Sequence, residues 1–498
     1  MKKRNLIIRL ISACLLALPA AAADRPNIVI FLADDLGYGD LGSYGNQIIQ
    51  TPHLDQLADD GVRLLDCHSA GTVCSPSRAG LLTGRTPYRT GFYTIAGPEK
   101  CHLRKEEITL PSLLKEEGYD TCFVGKWHLG RFKSQPDPGD HGFDHWFATE
   151  VNAFDGPEDT DRWVRNGEAI GKTGQWYCDA IVKEAQDWIA NRKDQERPYF
   201  LVVSYHEPHT PIHPPKEYSD LYDNERTEML ESTVAYGQYH RPFNNDISGN
   251  KKYYYGTVTQ LDASVGRLLK AIDDRGEREE SVIIFTSDNG PETPVTVEES
   301  NNQWEDPIRD RCFGSPGPWR GMKRYVYEGG HRVPGLVRWP GKVEPGSISA
   351  SLVNGTDWLP TLCSAVGIEV PDDRTIDGVD ALPALQGQDV ERPIPACWTY
   401  PVNYNADLMG SMAVRDGNFV IIGWFEPKPH GEDAPGYSEW IRSTPIQSFE
   451  LYDLSIDTSQ SAPLNEVRPE KFEMMKAKML ELWSGIQKDA PDWPSYAH

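Results

Sequence analysis

The sequence is poor in cysteine, in basic residues and in long apolar runs, and each shortage excludes a class of protein. Nine cysteines in 498 residues, with no CxxC pair, are too sparse for a disulfide scaffold. Lys and Arg number 50 against 74 Asp and Glu, and this net charge of −24 excludes a nucleic-acid binder. After the amino terminus, no apolar stretch is long enough to span a bilayer. An anionic substrate must therefore be held by a local positive pocket.

The amino terminus has the pattern of a secretory signal peptide over residues 1–23. Residues 2–4 are basic, residues 6–18 are mostly apolar, and residues 20–22 are small alanines. The apolar run is short and broken by Arg9, which disfavours a membrane anchor. Lipoprotein anchoring at Cys14 is a minor alternative. We expect an exported protein, periplasmic or extracellular, whose eight mature cysteines have no pairing that the sequence assigns.

Strands and helices alternate along most of the chain. Apolar runs at 27–32, 122–125, 199–205 and 282–285 are separated by stretches with helical spacing of leucine and valine. This alternation predicts an α/β fold with a doubly wound, mostly parallel sheet and helices on both faces, over residues 24–385. Residues 386–498 differ: a hairpin around Asp416-Gly417, a short strand and a helix opening at Pro469 predict a smaller antiparallel sheet with a packing helix.

Each of the four apolar runs ends in residues suited to metal or anion binding: Asp34 and Asp35, Lys126 and His128, His206 and His209, Asp288 and Asn289. Ligands in open α/β sheets bind beyond the carboxyl ends of the strands, so these residues are expected to share one site. The aspartates and the asparagine offer only oxygen, which favours Ca²⁺ or Mg²⁺ over zinc.

The stretch CSPSRAGLLTG, residues 74–84, has the pattern of a helix that starts beside a cysteine. Pro76 is tolerated in a first turn and Gly84 suits a stop. The positive end of such a helix, together with the guanidinium of Arg78, favours a sulfate or phosphate next to Cys74.

C-S-P-S-R followed by A-G-L-L-T-G-R resembles the signature of the type I sulfatases, of the alkaline phosphatase-like superfamily. The segments PNIVIFLADDLGYGD, GKWHLG, HEPHTP, FTSDNG and WRGMKRYVYEGGHRVP are similar to other family motifs, in the same order, over about residues 25–385. The resemblance implies hydrolysis of sulfate esters, with Cys74 oxidised by a formylglycine-generating enzyme to Cα-formylglycine (3-oxoalanine).

The resemblance also implies a role for each matching residue. One Ca²⁺ would be held by Asp34, Asp35, Asp288, Asn289 and the modified residue 74. The sulfate pocket and catalytic groups would comprise Cys74, Arg78, Lys126, His128, His209 and Lys323. The hydrated aldehyde would attack sulfur, with His209 protonating the leaving oxygen and His128 accepting the later proton.

The substrate and some neighbouring residues stay open. Export favours a sulfated polysaccharide or oligosaccharide. Candidate substrate contacts are His102, Arg104 and Lys105 in the loop 90–107, and Trp304 and Arg309 in the insertion after SDNG; a solvated loop face is the alternative. His206 is either substrate-facing or structural, and His331 is expected to be a loop residue. A phosphonate or phosphodiester hydrolase of the same superfamily, or a non-catalytic glycan-binding relative, are the alternative functions.

Overall fold

The computed structural model describes residues 25–97, 101–223, 251–292, 314–400, 410–429 and 435–493. The predicted signal peptide and the two candidate contacts Trp304 and Arg309 lie outside these residues.

The strands follow the apolar runs of the sequence. In chain order they are β1 Asn27–Ala33, β2 Val62–Leu64, β3 Cys67–His68, β4 Asp120–Lys126, β5 His145–Thr149, β6 Val164–Arg165, β7 Glu168–Ala169, β8 Tyr199–Ser204, β9 Ser281–Ser287, β10 Gly335–Arg338, β11 Ser347–Ser349, β12 Val353–Asn354, β13 Ala396–Tyr400, β14 Ser411–Asp416, β15 Phe419–Phe425 and β16 Ile446–Asp453.

The described α-helices lie mostly between the strands. They are α1 Pro52–Asp59, α2 Cys74–Thr83, α3 Leu110–Glu116, α4 Tyr177–Asn191, α5 Lys216–Ser219, α6 Lys251–Asp274, α7 Glu328–His331, α8 Trp358–Val366, α9 Leu382–Leu385, α10 Tyr437–Ser443 and α11 Pro469–Asp489.

The described residues form a ten-stranded sheet in the order β11-β2-β10-β9-β1-β8-β4-β5-β6-β7. Its centre is parallel: β1 pairs with β8 and β9, and β4 pairs with β8 and β5. The pairings of β10 with β9 and β2 are antiparallel. The prediction of a mostly parallel sheet is confirmed, and the four apolar runs are the neighbouring strands β9, β1, β8 and β4.

Strand β1 is buried on both faces because helices cover both. Its residues Ile28, Ile30 and Leu32 pack into the core shared with α2, α3 and α8. The alternate residues Val29 and Phe31 pack into the core shared with α1, α4 and α6. The period of two along a strand sends successive side chains into the two cores, which explains why the run is continuously apolar.

The carboxyl-terminal part forms the second sheet that the sequence predicted. Strands β13 to β16 pair antiparallel in sequence order. One face packs on α11 through Met475, Met479, Leu482 and Ile486. The other face packs against Val73 and Val326, which belong to the part of the chain around the ten-stranded sheet. The boundary at residue 385 stays a prediction.

Two expectations from composition can be compared with the described residues. No helix within them is long and apolar enough to cross a membrane. The seven cysteines among them are all buried; Cys312 lies outside the described residues.

Candidate active site

The carboxyl ends of β1 and β9 bring the predicted oxygen donors together. The two strands pair in parallel with Ala33 opposite Ser287, so Asp34 and Asp288 follow side by side. The Asp288 amide donates to the Ala33 carbonyl at 3.0 Å, and one ligand atom each from Asp34, Asp35 and Asp288 lie within 4.8 Å of one another. All are at most 1% exposed. Parallel pairing thus places three carboxylates in one buried cluster.

Burial and neighbouring charges shift the pKa values of the three carboxylates in different directions. Burial raises the pKa of Asp35 to about 7, although Lys323 opposes it. Burial and the charge of Asp34 also raise the pKa of Asp288. For Asp34 burial acts in the same direction, but Lys126, with His209 and Arg78, outweighs it and holds the pKa well below its usual range. Burial thus disfavours the ionised forms of Asp35 and Asp288, whereas Lys126 keeps Asp34 ionised.

Two oxygens of this cluster are buried without a hydrogen-bond partner among the described residues. They are Oδ1 of Asp34 and Oδ1 of Asn289. Asn289 is oriented by its own amide, whose Nδ2 donates to Asp35 Oδ1 at 2.7 Å and to the Gly290 carbonyl at 2.8 Å. Buried oxygens without a donor are costly unless a cation meets them. An all-oxygen donor set of this kind fits a hard divalent cation such as Ca²⁺.

Three basic side chains surround the carboxylates. Arg78 donates from Nε and Nη2 to Asp288 Oδ2, at 2.9 and 2.7 Å, and from Nη1 to the Lys126 carbonyl at 2.7 Å. Lys126 donates to Asp34. Lys323 donates to Asp35 Oδ2 at 2.7 Å. These side chains are 0–3% exposed and form the local positive pocket that the acidic composition demands.

Cys74 is the first residue of α2, as the CSPSR pattern predicted. The helix ends at Gly84, whose φ of 68° is the left-handed conformation that glycine supplies most easily. Cys74 is 1% exposed, and one ligand atom each from Cys74, Asp34 and His209 lie within 4.8 Å of one another. Burial raises the pKa of the Cys74 thiol to about 12, even though Lys126 and Lys323 lower it. The unmodified thiol is therefore a weak nucleophile.

The histidines of the site are held neutral. Burial and Lys323 keep the pKa of His209 well below its usual range, and burial and Lys126 do the same for His128. His209 Nδ1 faces the Thr210 carbonyl and Nε2 lies 3.6 Å from Asp35 Oδ2. His128 Nδ1 is buried with no partner among the described residues. Both rings can accept a proton, and His209 must take one up at Nε2 before it can act as an acid.

Comparison with known proteins places this arrangement in a family. A family model described as Sulfatase matches residues 26–368, and one described as N-sulphoglucosamine sulphohydrolase, C-terminal, matches residues 319–429. The N-acetylgalactosamine-6-sulfatase of Canis lupus familiaris is 35% identical over 432 residues, covering 81% of this chain and 73% of that protein.

The chain belongs to the sulfatase family.

Arylsulfatase A of Homo sapiens is 33% identical to this sulfatase over 477 residues, covering 90% of this chain and 85% of that protein. Among solved structures, Ps i-CgsB in complex with k-i-k-neocarrahexaose has a TM-score of 0.73 and covers 95% of both chains. Its 24% identity bears on the fold alone. Family membership makes the protein a sulfuric ester hydrolase.

In this sulfatase, the predicted substrate contacts of the loop 90–107 lie against other side chains of the protein. Arg104 donates to Glu107 at 2.7 Å, and the exposed Lys105 donates to Asp140 at 2.7 Å. The His102 ring lies 4.8 Å from that of Trp493. The two cations are thus directed to neighbouring carboxylates, which is the arrangement of a solvated loop face.

His206 is 1% exposed, and both its ring nitrogens are engaged. Asn152 Nδ2 lies 3.2 Å from His206 Nδ1, and His206 Nε2 lies 3.2 Å from the Pro211 carbonyl. Asn152 also donates to Asp34 Oδ2 at 3.2 Å. Of the two roles left open for His206, the contacts favour the structural one: it orients Asn152 toward the cluster.

Sequence reasoning missed Asn152 and Glu292. Asn152 comes three residues after β5, so the rule applied to the other four strand ends would have found it. Glu292 lies 3.3 Å from Lys323 Nζ and also pairs with Arg324, and the sequence carries no signal for this contact.

Three residues of the site loops have a left-handed backbone without being glycine. Asp35 has φ 64°, His128 has φ 55° and Arg324 has φ 78°. The described residues include only five such positions, so strain is concentrated here. Each non-glycine residue in this conformation costs about 1–3 kcal/mol.

The second sheet supports the site through a buried group of charges. Arg415 of β14 donates to Asp66 Oδ2 at 2.8 Å and to Glu328 at 3.2 Å. Arg332 pairs with the same two carboxylates, at 2.8 Å to Asp66 and 2.6 Å to Glu328. We call these four residues the interdomain charge cluster. It joins the second sheet to α7, which follows the Lys323 loop.

A buried aromatic contact adjoins the interdomain charge cluster. His331, predicted as a loop residue, ends α7 and stacks on Trp398 of β13 with ring centroids 3.8 Å apart. Its Nδ1 lies 2.9 Å from His68 Nδ1. Ser69 donates to the His331 carbonyl at 2.8 Å and accepts from Trp398 Nε1 at 2.8 Å. The segment that precedes Cys74 thus packs against the second sheet.

Proposed function

We propose that this sulfatase hydrolyses sulfate esters of a sulfated polysaccharide or oligosaccharide, with residue 74 as nucleophile and Ca²⁺ as cofactor. The observation that carries the proposal is the arrangement around Cys74: three buried carboxylates, the unpartnered oxygens of Asp34 and Asn289, and the buried cations Lys126, Lys323 and Arg78 in contact with the carboxylates. The sulfated-sugar names of relatives, such as N-acetylgalactosamine-6-sulfatase, support a glycan substrate.

Asp34, Asp35, Asp288, Asn289 and residue 74 would hold the cation. When bound, Ca²⁺ supplies positive charge that offsets the charge on the sulfuryl oxygens and favours an ionised nucleophile. Formylglycine, the oxidised form of Cys74, supplies a hydrated aldehyde with two hydroxyls, one to attack sulfur and one to expel sulfate afterwards.

The protein's own groups divide the remaining work. Arg78, fixed by Asp288, holds the hydroxyls of residue 74 through its guanidinium. Lys126 and Lys323 neutralise the sulfuryl oxygens, because both ammonium groups are buried beside the cluster and have little water to compete.

Two histidines that follow the carboxyl ends of the neighbouring strands β4 and β8 would transfer the protons. His209, whose Nε2 lies 3.6 Å from Asp35 Oδ2, would take up a proton at Nε2 and donate it to the departing alcohol oxygen. His128, neutral and with Nδ1 open, accepts the proton of the second hydroxyl when sulfate leaves.

The burial of Cys74 supports conversion before folding is complete. At 1% exposure, and with burial raising its pKa to about 12, the thiol of the folded protein is neither accessible nor ionised. A formylglycine-generating enzyme would therefore act on the unfolded CSPSR segment. Residues 1–23 would direct export to the periplasm or beyond; the mass of the mature amino terminus tests this.

Mass spectrometry and kinetics test the function. The peptide spanning residue 74 of active protein should carry CHO in place of CH₂SH, and Cys74→Ala should abolish turnover while leaving the thermal midpoint close to that of the wild type. Paired aryl sulfate, phosphate diester and phosphonate substrates should be hydrolysed fastest as the sulfate. A fully thiol-bearing active enzyme, or a preference for phosphonate, contradicts the proposal.

A further inference from the structure

Phe154 is the only exposed Phe, Tyr or Trp side chain among the residues whose burial the structure describes, with 38% of its surface accessible. It follows β5 at the carboxyl edge of the sheet, the edge at which the catalytic groups lie. An exposed aromatic side chain needs no explanation when it stands alone on a surface. At the mouth of a catalytic site it offers a face to the substrate.

The backbone of Phe154 is fixed from both sides. Before it, Asn152 is bonded to Asp34, and Ala153 is 0% exposed in the core. After it, the carboxylate of Asp155 accepts from Arg162 Nε at 2.9 Å and from the Asp161 amide at 2.8 Å. The ring is therefore presented by an ordered turn and loses little conformational entropy when a ligand covers it.

The ring of Phe154 stands beside the proposed acid. Its centroid lies 6.4 Å from that of His209, with the ring planes at 74°. His209 directs Nε2 toward Asp35 and the Cys74 side of the pocket. A leaving group whose ester oxygen lies within reach of His209 therefore has the Phe154 ring as a neighbour.

The charges of the loop around Phe154 favour an uncharged sugar ring in the substrate. Arg162 pairs with Asp155, and His213 lies 3.2 Å from Glu158. The Arg162 guanidinium thus already has a carboxylate partner, and a second sulfate or a carboxylate on this face of the substrate would meet Asp155 and Glu158.

We propose that Phe154 is the stacking platform for the neutral pyranose ring that carries the scissile sulfate. The C–H face of the sugar lies on the exposed face of the phenyl ring, and the ring sets which leaving groups are accepted. This inference rests on the proposed function and names the chemistry of its leaving-group subsite.

Binding to an inactive variant tests the platform separately from catalysis. In the Cys74→Ala background with Ca²⁺, isothermal titration with monosulfated neutral hexoses should give a dissociation constant about 10-fold higher for Phe154→Ala. Phe154→Trp should retain the affinity because it keeps the aromatic face. Ile170→Ala is the matched control, since Ile170 is an exposed apolar residue of nearly equal accessibility, 37%, and it should not change the affinity.

A substrate without a sugar ring distinguishes the loss of the stacking platform from general damage to the site. In the active enzyme, Phe154→Ala should lower the ratio of kcat/KM for a hexose sulfate to that for a short alkyl sulfate by about 10-fold. An unchanged ratio with unchanged binding overturns the inference, and so does a loss confined to aryl sulfates. Wild-type protein that hydrolyses none of these sulfates overturns the proposed function instead, while the titration still decides the role of Phe154.

Discussion

Arg415→Met removes the guanidinium through which the second sheet binds the catalytic part. The side chains of Arg415, Asp66 and Glu328 are 5%, 8% and 1% exposed, so the substitution leaves two buried carboxylates one partner short. Removing one member of a buried pair costs about 3–5 kcal/mol. Because Arg332 still contacts both carboxylates, at 2.8 and 2.6 Å, we expect the lower end, about 3 kcal/mol.

Thermal unfolding in the presence of Ca²⁺ measures the effect. An unfolding entropy of about 2 cal/mol/K per residue gives roughly 1 kcal/mol/K for a chain of this size, so Tm should fall by about 3 °C. The kcat should fall as well, since α7 and the segment before Cys74 both rest on the second sheet.

Arg442→Met is the matched control for Arg415→Met. Arg442 lies on α10, between β15 and β16, but its side chain is 46% exposed and its Nη1 lies 3.8 Å from Asp492 Oδ2, so its loss should change Tm by less than about 1 °C. If Arg415→Met and Arg442→Met unfold within 1 °C of each other, about the resolution of the scan, the interdomain charge cluster does not have the stabilising role argued for it.

Three further predictions concern the site and one distant carboxylate. Chelation of Ca²⁺ should lower Tm by about 4 °C, since a ligand at 1,000 times its Kd contributes about 4 kcal/mol, and Asn289→Ala should abolish the shift; an equal shift in the variant contradicts the ligand role. Lys323→Ala and His209→Ala should each lower kcat by about 100-fold in steady-state assays, and a change in KM alone would count against their transition-state roles. Although burial opposes it, His145 and Arg165 hold the pKa of Glu184 at about 2, against 4.5. The stabilisation is thus present above about pH 4.5 and is lost as pH falls toward about 2, so the Tm difference between wild type and Glu184→Gln should shrink from pH 6 to pH 3; a constant difference would refute it.

The central fold could be predicted because its signals are local. Each apolar run is a strand buried on both faces, and each is followed by aspartate, lysine or histidine. The same short stretch of sequence therefore predicts both a strand and a residue of the site. Adjacency of the runs β9, β1, β8 and β4 then brings the residues together. The hairpin around Asp416-Gly417 and the helix from Pro469 were equally local patterns, and both are present.

The supporting contacts could not be predicted because they join distant parts of the chain. Arg415 lies 349 residues from Asp66 and 87 from Glu328, and in sequence it is one more arginine beside a hairpin turn. The substrate contacts proposed for Arg104 and Lys105 stay predictions, because the sequence could not show which carboxylates lie beside these two cations. The carboxylates that neutralise them are visible only in three dimensions, as with Asp140, 35 residues from Lys105.

The left-handed backbone at Asp35, His128 and Arg324 limits how this enzyme can be made more robust. Replacing these residues by glycine would relieve strain yet remove the proposed Ca²⁺ ligand Asp35, the proposed proton acceptor His128 or Arg324, the neighbour of Lys323. An engineer seeking a longer shelf life would therefore gain nothing from idealising the loops at the carboxyl edge. A better target is the exposed face of α11, a helix that packs on the second sheet and carries none of the proposed site residues.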